Sequence, residues 1–85
     1  MWSITYTADA VRTLTKMDPT VAKRIRAKLL AVARDPAVPN NNVKKLAGIE
    51  GYRLRVADWR VIYTLHHQAL TVIVVKIGHR REVYE

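Results

Sequence analysis

The chain has 85 residues and no cysteine, which predicts one small domain over residues 1–85 and excludes a disulfide framework and a thiolate metal site. Fifteen Lys and Arg against seven Asp and Glu give a net charge of +8, which favours a polyanionic partner, with nucleic acid as the leading class. No window approaches the roughly 18 apolar residues that span a bilayer, and no signal peptide is evident. We therefore expect a cytoplasmic protein with no membrane partner.

The first half of the chain predicts a strand followed by two helices. Large apolar side chains at positions 2, 4 and 6 alternate with polar ones, which is the pattern of a half-buried strand. Thr7 can cap a first helix that ends at Asp18, and Pro19 suits the first turn of a second helix. Asp35 and Pro36 stop that helix. The apolar stripes of the two helices predict an αα-hairpin.

The second half of the chain predicts three strands. Residues 52–56 and 59–65 are separated only by Ala57 and Asp58, which predicts a tight hairpin. The β-branched run 70–77 is apolar on both faces and predicts a central strand, covered at least in part on both sides. The fold class is therefore α+β: an N-terminal strand and an αα-hairpin precede a three-stranded antiparallel meander, and the helices pack on one face of a four-stranded, mainly antiparallel sheet.

Basic side chains converge on one face of this predicted sheet. If the apolar residues of strand 52–56 face the core, pleating directs Arg53 and Arg55 to the opposite face, and the next strand turns Arg60 to that same surface. A guanidinium matches phosphate oxygens bidentately and keeps its charge, so the three arginines predict a phosphate site. Arg80 follows the last strand, and Tyr84 adds a ring for base stacking or a hydroxyl near the phosphate.

Further candidates for RNA contacts flank this surface. Lys44 and Lys45 are candidate backbone-phosphate contacts, and Arg81 adds a cation beside Arg80. His79 could exchange a proton with RNA, although side-chain alternation can direct it away from the arginines. The scattered carboxylates and the absence of cysteine give no metal-ligand pattern, so we expect no metal and no cofactor.

Two sequence motifs resemble a known family over essentially the whole chain. They are YRLRV followed by WRVIY at 52–63, and VKIGHRREVY at 75–84. In this order and spacing they resemble the RelE toxins of the RelE/ParE superfamily. The resemblance implies a microbial-ribonuclease-like fold and the toxin component of a type II toxin-antitoxin system. It also implies an endoribonuclease that cuts mRNA in the ribosomal A site, inhibits translation and arrests growth.

The resemblance further implies partners and residue roles. A cognate RelB-like antitoxin would silence the toxin, and the complex would bind operator DNA through the antitoxin. In the family's metal-independent mechanism the ribose 2′-hydroxyl attacks the adjacent phosphate. The cationic strand pair corresponds to Arg53 and Arg55, the phosphate-binding arginine to Arg60, the arginine near the leaving group to Arg80, and the stacking tyrosine to Tyr84.

One departure from the family pattern concerns the proton acceptor. The best-known members carry lysine at both strand positions, and the second lysine is proposed as the general base. Arginine does not readily accept this role, since guanidinium keeps its proton. We therefore expect Arg55 to orient the substrate and stabilise charge, while the proton goes to water, to an RNA or ribosomal group, or to another side chain.

Two alternative functions remain open at the level of sequence. One is a ParE-like toxin that inhibits DNA gyrase without nuclease activity, and the other is a basic RNA-binding module without chemistry. The combination of Arg53, Arg60, Arg80 and Tyr84 favours RNA cleavage, because a toxin that only binds gyrase does not need these side chains together.

Overall fold

The computed structural model describes residues 1–79, and within that range the chain forms two helices and five strands. No helix in this range is long and apolar enough to cross a membrane. The elements in chain order are β1 (Ser3–Tyr6), α1 (Ala8–Lys16), α2 (Pro19–Arg34), β2 (Val43–Lys45), β3 (Tyr52–Val56), β4 (Trp59–His66) and β5 (Thr71–His79).

The helix boundaries follow from the capping residues that the sequence supplies. Thr7 caps α1, and its side-chain oxygen accepts a hydrogen bond from the Ala10 N–H at 3.2 Å. Asp18 caps α2 by accepting from the Thr20 N–H at 2.8 Å, and Pro19 is the first helical residue. The two helices contact each other as an αα-hairpin, which confirms the prediction for the first half of the chain.

The sheet has the strand order β1-β5-β4-β3-β2, with β1 parallel to β5 and every other pair antiparallel. The predicted count of four strands is therefore wrong, although the fold class is confirmed. The additional strand is β2, which pairs Val43 with Leu54 and Lys45 with Tyr52. Three residues containing a single apolar side chain cannot show the period-two alternation by which strands are detected.

Only one face of the sheet is covered by the helices. Buried side chains of α2, such as Ile25 and Leu29, pack with Leu54, Val61 and Val74 from that face of the sheet. Strand β5 lies inside the sheet between β1 and β4, but β4 is the central strand. Within residues 1–79 no helix packs on the opposite face, although Ile73 and Gly78 of β5, which belong to that face, are half-buried and buried. We call that opposite side the open face.

A β-bulge in β5 changes which side chains reach the open face. Ile62 pairs with Lys76 while the next residue, Tyr63, pairs with Val74, so Val75 is the extra residue. The Val75 carbonyl accepts a hydrogen bond from the Thr7 hydroxyl at 2.7 Å, which ties the bulge to the beginning of α1. Beyond the bulge the alternation is reversed, so position 77 faces the core and positions 76 and 78 face the opposite side.

Candidate nucleic-acid interface

Five basic side chains from four strands lie on the open face, at the end of the sheet near the β3–β4 hairpin. Their positions follow from the strand register, because directly paired residues of neighbouring strands share one face. We call this group the cationic face. Its members are Lys44 on β2, Arg53 and Arg55 on β3, Arg60 on β4 and Lys76 on β5.

The cationic face consists of two rows that run across the strands. In the first row the pairs are Lys44 with Arg53, Arg53 with Ile62, and Ile62 with Lys76. Neighbouring strands lie about 4.8 Å apart, so three steps from β2 to β5 span about 14 Å. Three of the four positions in this row are cations, and the fourth is apolar.

The second row brings two arginines into direct opposition. Arg55 pairs with Arg60, and Arg60 pairs on its other side with Gly78. Paired side chains on one face have Cβ atoms about 4.5–5.5 Å apart, and like charges in this position lower stability. Gly78 contributes no side chain beside Arg60, and its backbone is buried.

The guanidinium groups of this face have no anionic partner within residues 1–79. Arg53 and Arg60 are half-buried, and the Nε atoms of both and the Nη1 atom of Arg60 are buried without a hydrogen-bond acceptor. The salt bridge found in this range is an exposed pair elsewhere, Arg12 with Asp9 at 3.3 Å. Buried donors normally have partners, so these three nitrogens are unsatisfied donors among the described residues.

The structure brings together four of the predicted site residues and separates two others. Arg53, Arg55, Arg60 and Lys44 share the open face, whereas Lys45 pairs with Tyr52 and therefore faces the other side of the sheet. There Lys45 lines a cavity of about 510 Å³ beside the end of α2. Adjacent residues of a strand point to opposite faces, so the two lysines cannot act at one site on the sheet.

His79 also lies away from the arginines. It pairs across the strands with Trp59, and the two rings meet edge to face with centroids 5.7 Å apart. Trp59 shares its face with Val61 and so lies on the side opposite Arg60. The predictions for Arg80, Arg81 and Tyr84 lie outside the described residues.

Lys76 belongs to the site, although the sequence pattern does not predict it there. Simple alternation along β5 places position 76 with the buried Val72 and Val74, so a lysine there had no evident surface role. The bulge at Val75 reverses that assignment. The structure shows the phase break, because the buried apolar positions change from even to odd numbers at Ile77, whereas the sequence conceals it, because positions 72–75 are all apolar.

Aromatic hydroxyl groups near the sheet lie on the covered side. Tyr63 is buried and its ring stacks on Tyr52 with centroids 5.5 Å apart. Burial, and then the neighbouring Tyr52, raises the pKa of the Tyr63 hydroxyl to about 12. Tyr63 therefore stays protonated near neutral pH and belongs to the core. The open face supplies fixed positive charge, which suits it to bind phosphate and to stabilise charge that develops on it.

The family is decided by comparison with known proteins. A family model described as the ParE toxin of type II toxin-antitoxin system, parDE, matches residues 4–84. The chain belongs to this toxin family. The chain is also 26% identical over 77 residues to the mRNA interferase toxin RelE of Escherichia coli (strain K12), a match that covers 88% of this chain and 81% of the relative. The RelE-like character expected from the two motifs is thus confirmed.

Solved structures of similar toxins share the fold. The archaeal RelE–RelB complex from Pyrococcus horikoshii matches with a TM-score of 0.81 and 23% identity, over 96% of this chain and 98% of that one. The intact Escherichia coli RelBE complex matches with a TM-score of 0.80 and 22% identity, over 93% and 96% of the two chains. These similarities confirm the predicted α+β fold class.

Proposed function

We propose that this toxin is an endoribonuclease that cleaves mRNA in the ribosomal A site and thereby inhibits translation. The observation that carries the proposal is the cationic face, where Arg53, Arg55 and Arg60 converge without an anionic partner among the described residues. Further support comes from the relative named mRNA interferase toxin RelE. A gyrase inhibitor without nuclease activity is the outcome against which the proposal is tested.

The proposed reaction needs no metal, because the protein supplies the positive charge. The ribose 2′-oxygen attacks the adjacent phosphorus, the bond to the 5′-oxygen breaks, and the products carry a 2′,3′-cyclic phosphate and a 5′-hydroxyl. Arg60 binds the non-bridging oxygens, and Arg53 and Arg55 stabilise the charge of the pentacoordinate transition state. By their match to the family motif, Arg80 stabilises the leaving oxygen and Tyr84 stacks on a base.

The proposal includes an antitoxin as the regulating partner. Support comes from similar toxin structures that were solved as RelE–RelB complexes. A RelB-like antitoxin with an acidic, amphipathic segment would complement the cationic face, because basic side chains buried without partners are unfavourable. Operator DNA would then be bound by the complex through the antitoxin.

The decisive experiment compares two cellular targets after induction of the chain in bacteria. Transcript 5′ ends are mapped across translated codons, and plasmid supercoiling and gyrase–DNA breaks are measured in the same cultures. We expect new 5′-hydroxyl ends within codons and unchanged supercoiling. Intact messages with accumulating gyrase–DNA breaks would refute the proposal.

The matched variants are Arg60→Ala on the cationic face and Arg24→Ala on the exposed surface of α2. Both remove one positive charge, so they separate the position of the charge from the net charge. Loss of one preorganised charge-stabilising group lowers cleavage rates by about 100- to 1,000-fold. We expect that loss for Arg60→Ala and no comparable change for Arg24→Ala. Growth arrest by Arg60→Ala at the wild-type rate would show that the site is assigned wrongly.

A further inference from the structure

We infer that Lys76 is an RNA-contacting residue, and that the first row of the cationic face is a track for the phosphate backbone of single-stranded RNA that crosses the strands. The row runs from Lys44 through Arg53 and Ile62 to Lys76. This inference rests on the proposed ribonuclease function and extends it. It states how the RNA backbone is oriented relative to the strands, and it adds a residue to the RNA-binding site.

The position of Lys76 is fixed by the bulge in β5. With Val75 as the extra residue, Lys76 pairs with Ile62 and is exposed, while Ile77 is buried in the core. A regular strand would direct Lys76 to the same side as Val74. The hydrogen bond from the Thr7 hydroxyl to the Val75 carbonyl holds this irregularity in place.

The charges around Lys76 favour an external anion. Arg60 pairs with Gly78, two residues along β5, so it lies diagonal to Lys76 at about 7–8 Å. Asp9 of α1 lines a cavity of about 400 Å³ together with Lys76. That carboxylate forms the salt bridge with Arg12, and no salt bridge joins it to Lys76 within residues 1–79.

The row suits a flexible phosphate chain better than a single phosphate. Its two ends, Lys44 and Lys76, are about 14 Å apart across three strand spacings, which is the reach of a few nucleotides. Between them Arg53 supplies a guanidinium, and half-buried Ile62 supplies an apolar surface for a ribose or a base. Backbone contacts at both ends would hold the scissile phosphate over the second row, where Arg55 faces Arg60.

The test is the salt dependence of RNA binding. The probe is a single-stranded oligonucleotide with 2′-O-methyl groups throughout, which lacks the attacking hydroxyl. The dissociation constant is measured between 50 and 300 mM salt for the wild type, Lys76→Met, Lys76→Arg and the control Lys28→Met. Lys28 is exposed on α2, on the other side of the sheet, and its replacement changes the net charge equally.

Loss of one phosphate contact reduces the slope of log K against log salt concentration by about 0.7 for single strands. For Lys76→Met we therefore expect affinity about 8-fold weaker at 50 mM salt and about 3-fold weaker at 200 mM. Lys76→Arg keeps the wild-type slope, and Lys28→Met does not change it. A slope for Lys76→Met equal to that of Lys28→Met would overturn the track alone. Wild-type binding without salt dependence would overturn the proposed RNA site as well.

Discussion

Replacing Arg60 by methionine should stabilise the free toxin while it lowers the cleavage rate as strongly as Arg60→Ala does. Methionine keeps a long unbranched stem but removes the charge opposite Arg55 and two buried nitrogens that have no acceptor among residues 1–79. A directly opposed like-charge pair lowers stability by about 0.2–1 kcal/mol. A buried unsatisfied donor costs about 1–3 kcal/mol, but Arg60 is only half-buried, so the low end applies. The net gain is about 1 kcal/mol.

A gain of this size raises the melting temperature by about 4–8 °C for a chain of this length. Urea unfolding is measured at low and at high salt for the wild type, Arg60→Met, Arg55→Met and the double variant, with Arg24→Met as the exposed control. The like-charge part of the gain should shrink at high salt, and the double variant should gain less than the sum of the two single variants. If Arg60→Met is less stable than the wild type at low salt, the inference that the charge and unsatisfied donors of Arg60 lower stability is refuted.

Three further predictions concern Arg55, Thr7 and Tyr63. Arg55→Lys should raise the cleavage rate and introduce a new pH optimum if the site lacks only a proton acceptor, whereas total loss in a pH–rate profile would indicate a bidentate phosphate contact. Thr7→Ala removes the α1 cap and the hydrogen bond to the Val75 carbonyl. We expect it to lower the free energy of unfolding, measured by urea titration, by about 1–2 kcal/mol. The control Thr15→Ala, on the exposed side of α1, should change it by less than about 0.5 kcal/mol. The pKa of Tyr63 is about 12 in the folded chain against 10.0 for the free group, so the unfolded chain loses this proton first and stability falls as pH rises from 10 towards 12. Tyr63→Phe should reduce that alkaline loss, and an unchanged dependence would contradict the assignment.

Most of the architecture could be predicted because strong local signals agree with the tertiary structure. Thr7, Asp18 and Pro19 determine where the helices begin, and the two-residue gap at Ala57 and Asp58 determines the hairpin. Once the hairpin is known, alternation alone places the three arginines on one face. This part of the candidate site follows from the pleat of the strands and requires no long-range information.

The remaining features depend on contacts between distant parts of the chain. Strand β2 exists because β3 offers it a pairing edge, and nothing within residues 43–45 predicts that edge. The extra residue of the bulge, Val75, contacts Thr7, which lies 68 residues away in the sequence. Local alternation does not reveal such a contact and therefore assigns Lys76 to the wrong face. The sequence alone thus predicts the arginines and misses the lysine that completes the row.

The distribution of charge on the open face separates binding from proton transfer. All five members of the cationic face are basic side chains, and a guanidinium group is a poor proton acceptor. Among residues 1–79, the open face carries one imidazole, that of His66. His66 pairs with Thr71 at the end of β4 away from Arg60, so it lies far along the strand from the arginines. Such a surface can bind a phosphate and stabilise its negative charge, but its arginines offer no base for the 2′-hydroxyl. If cleavage proceeds by charge stabilisation alone, the rate should rise with hydroxide concentration, because deprotonation of the 2′-hydroxyl is then left to solvent.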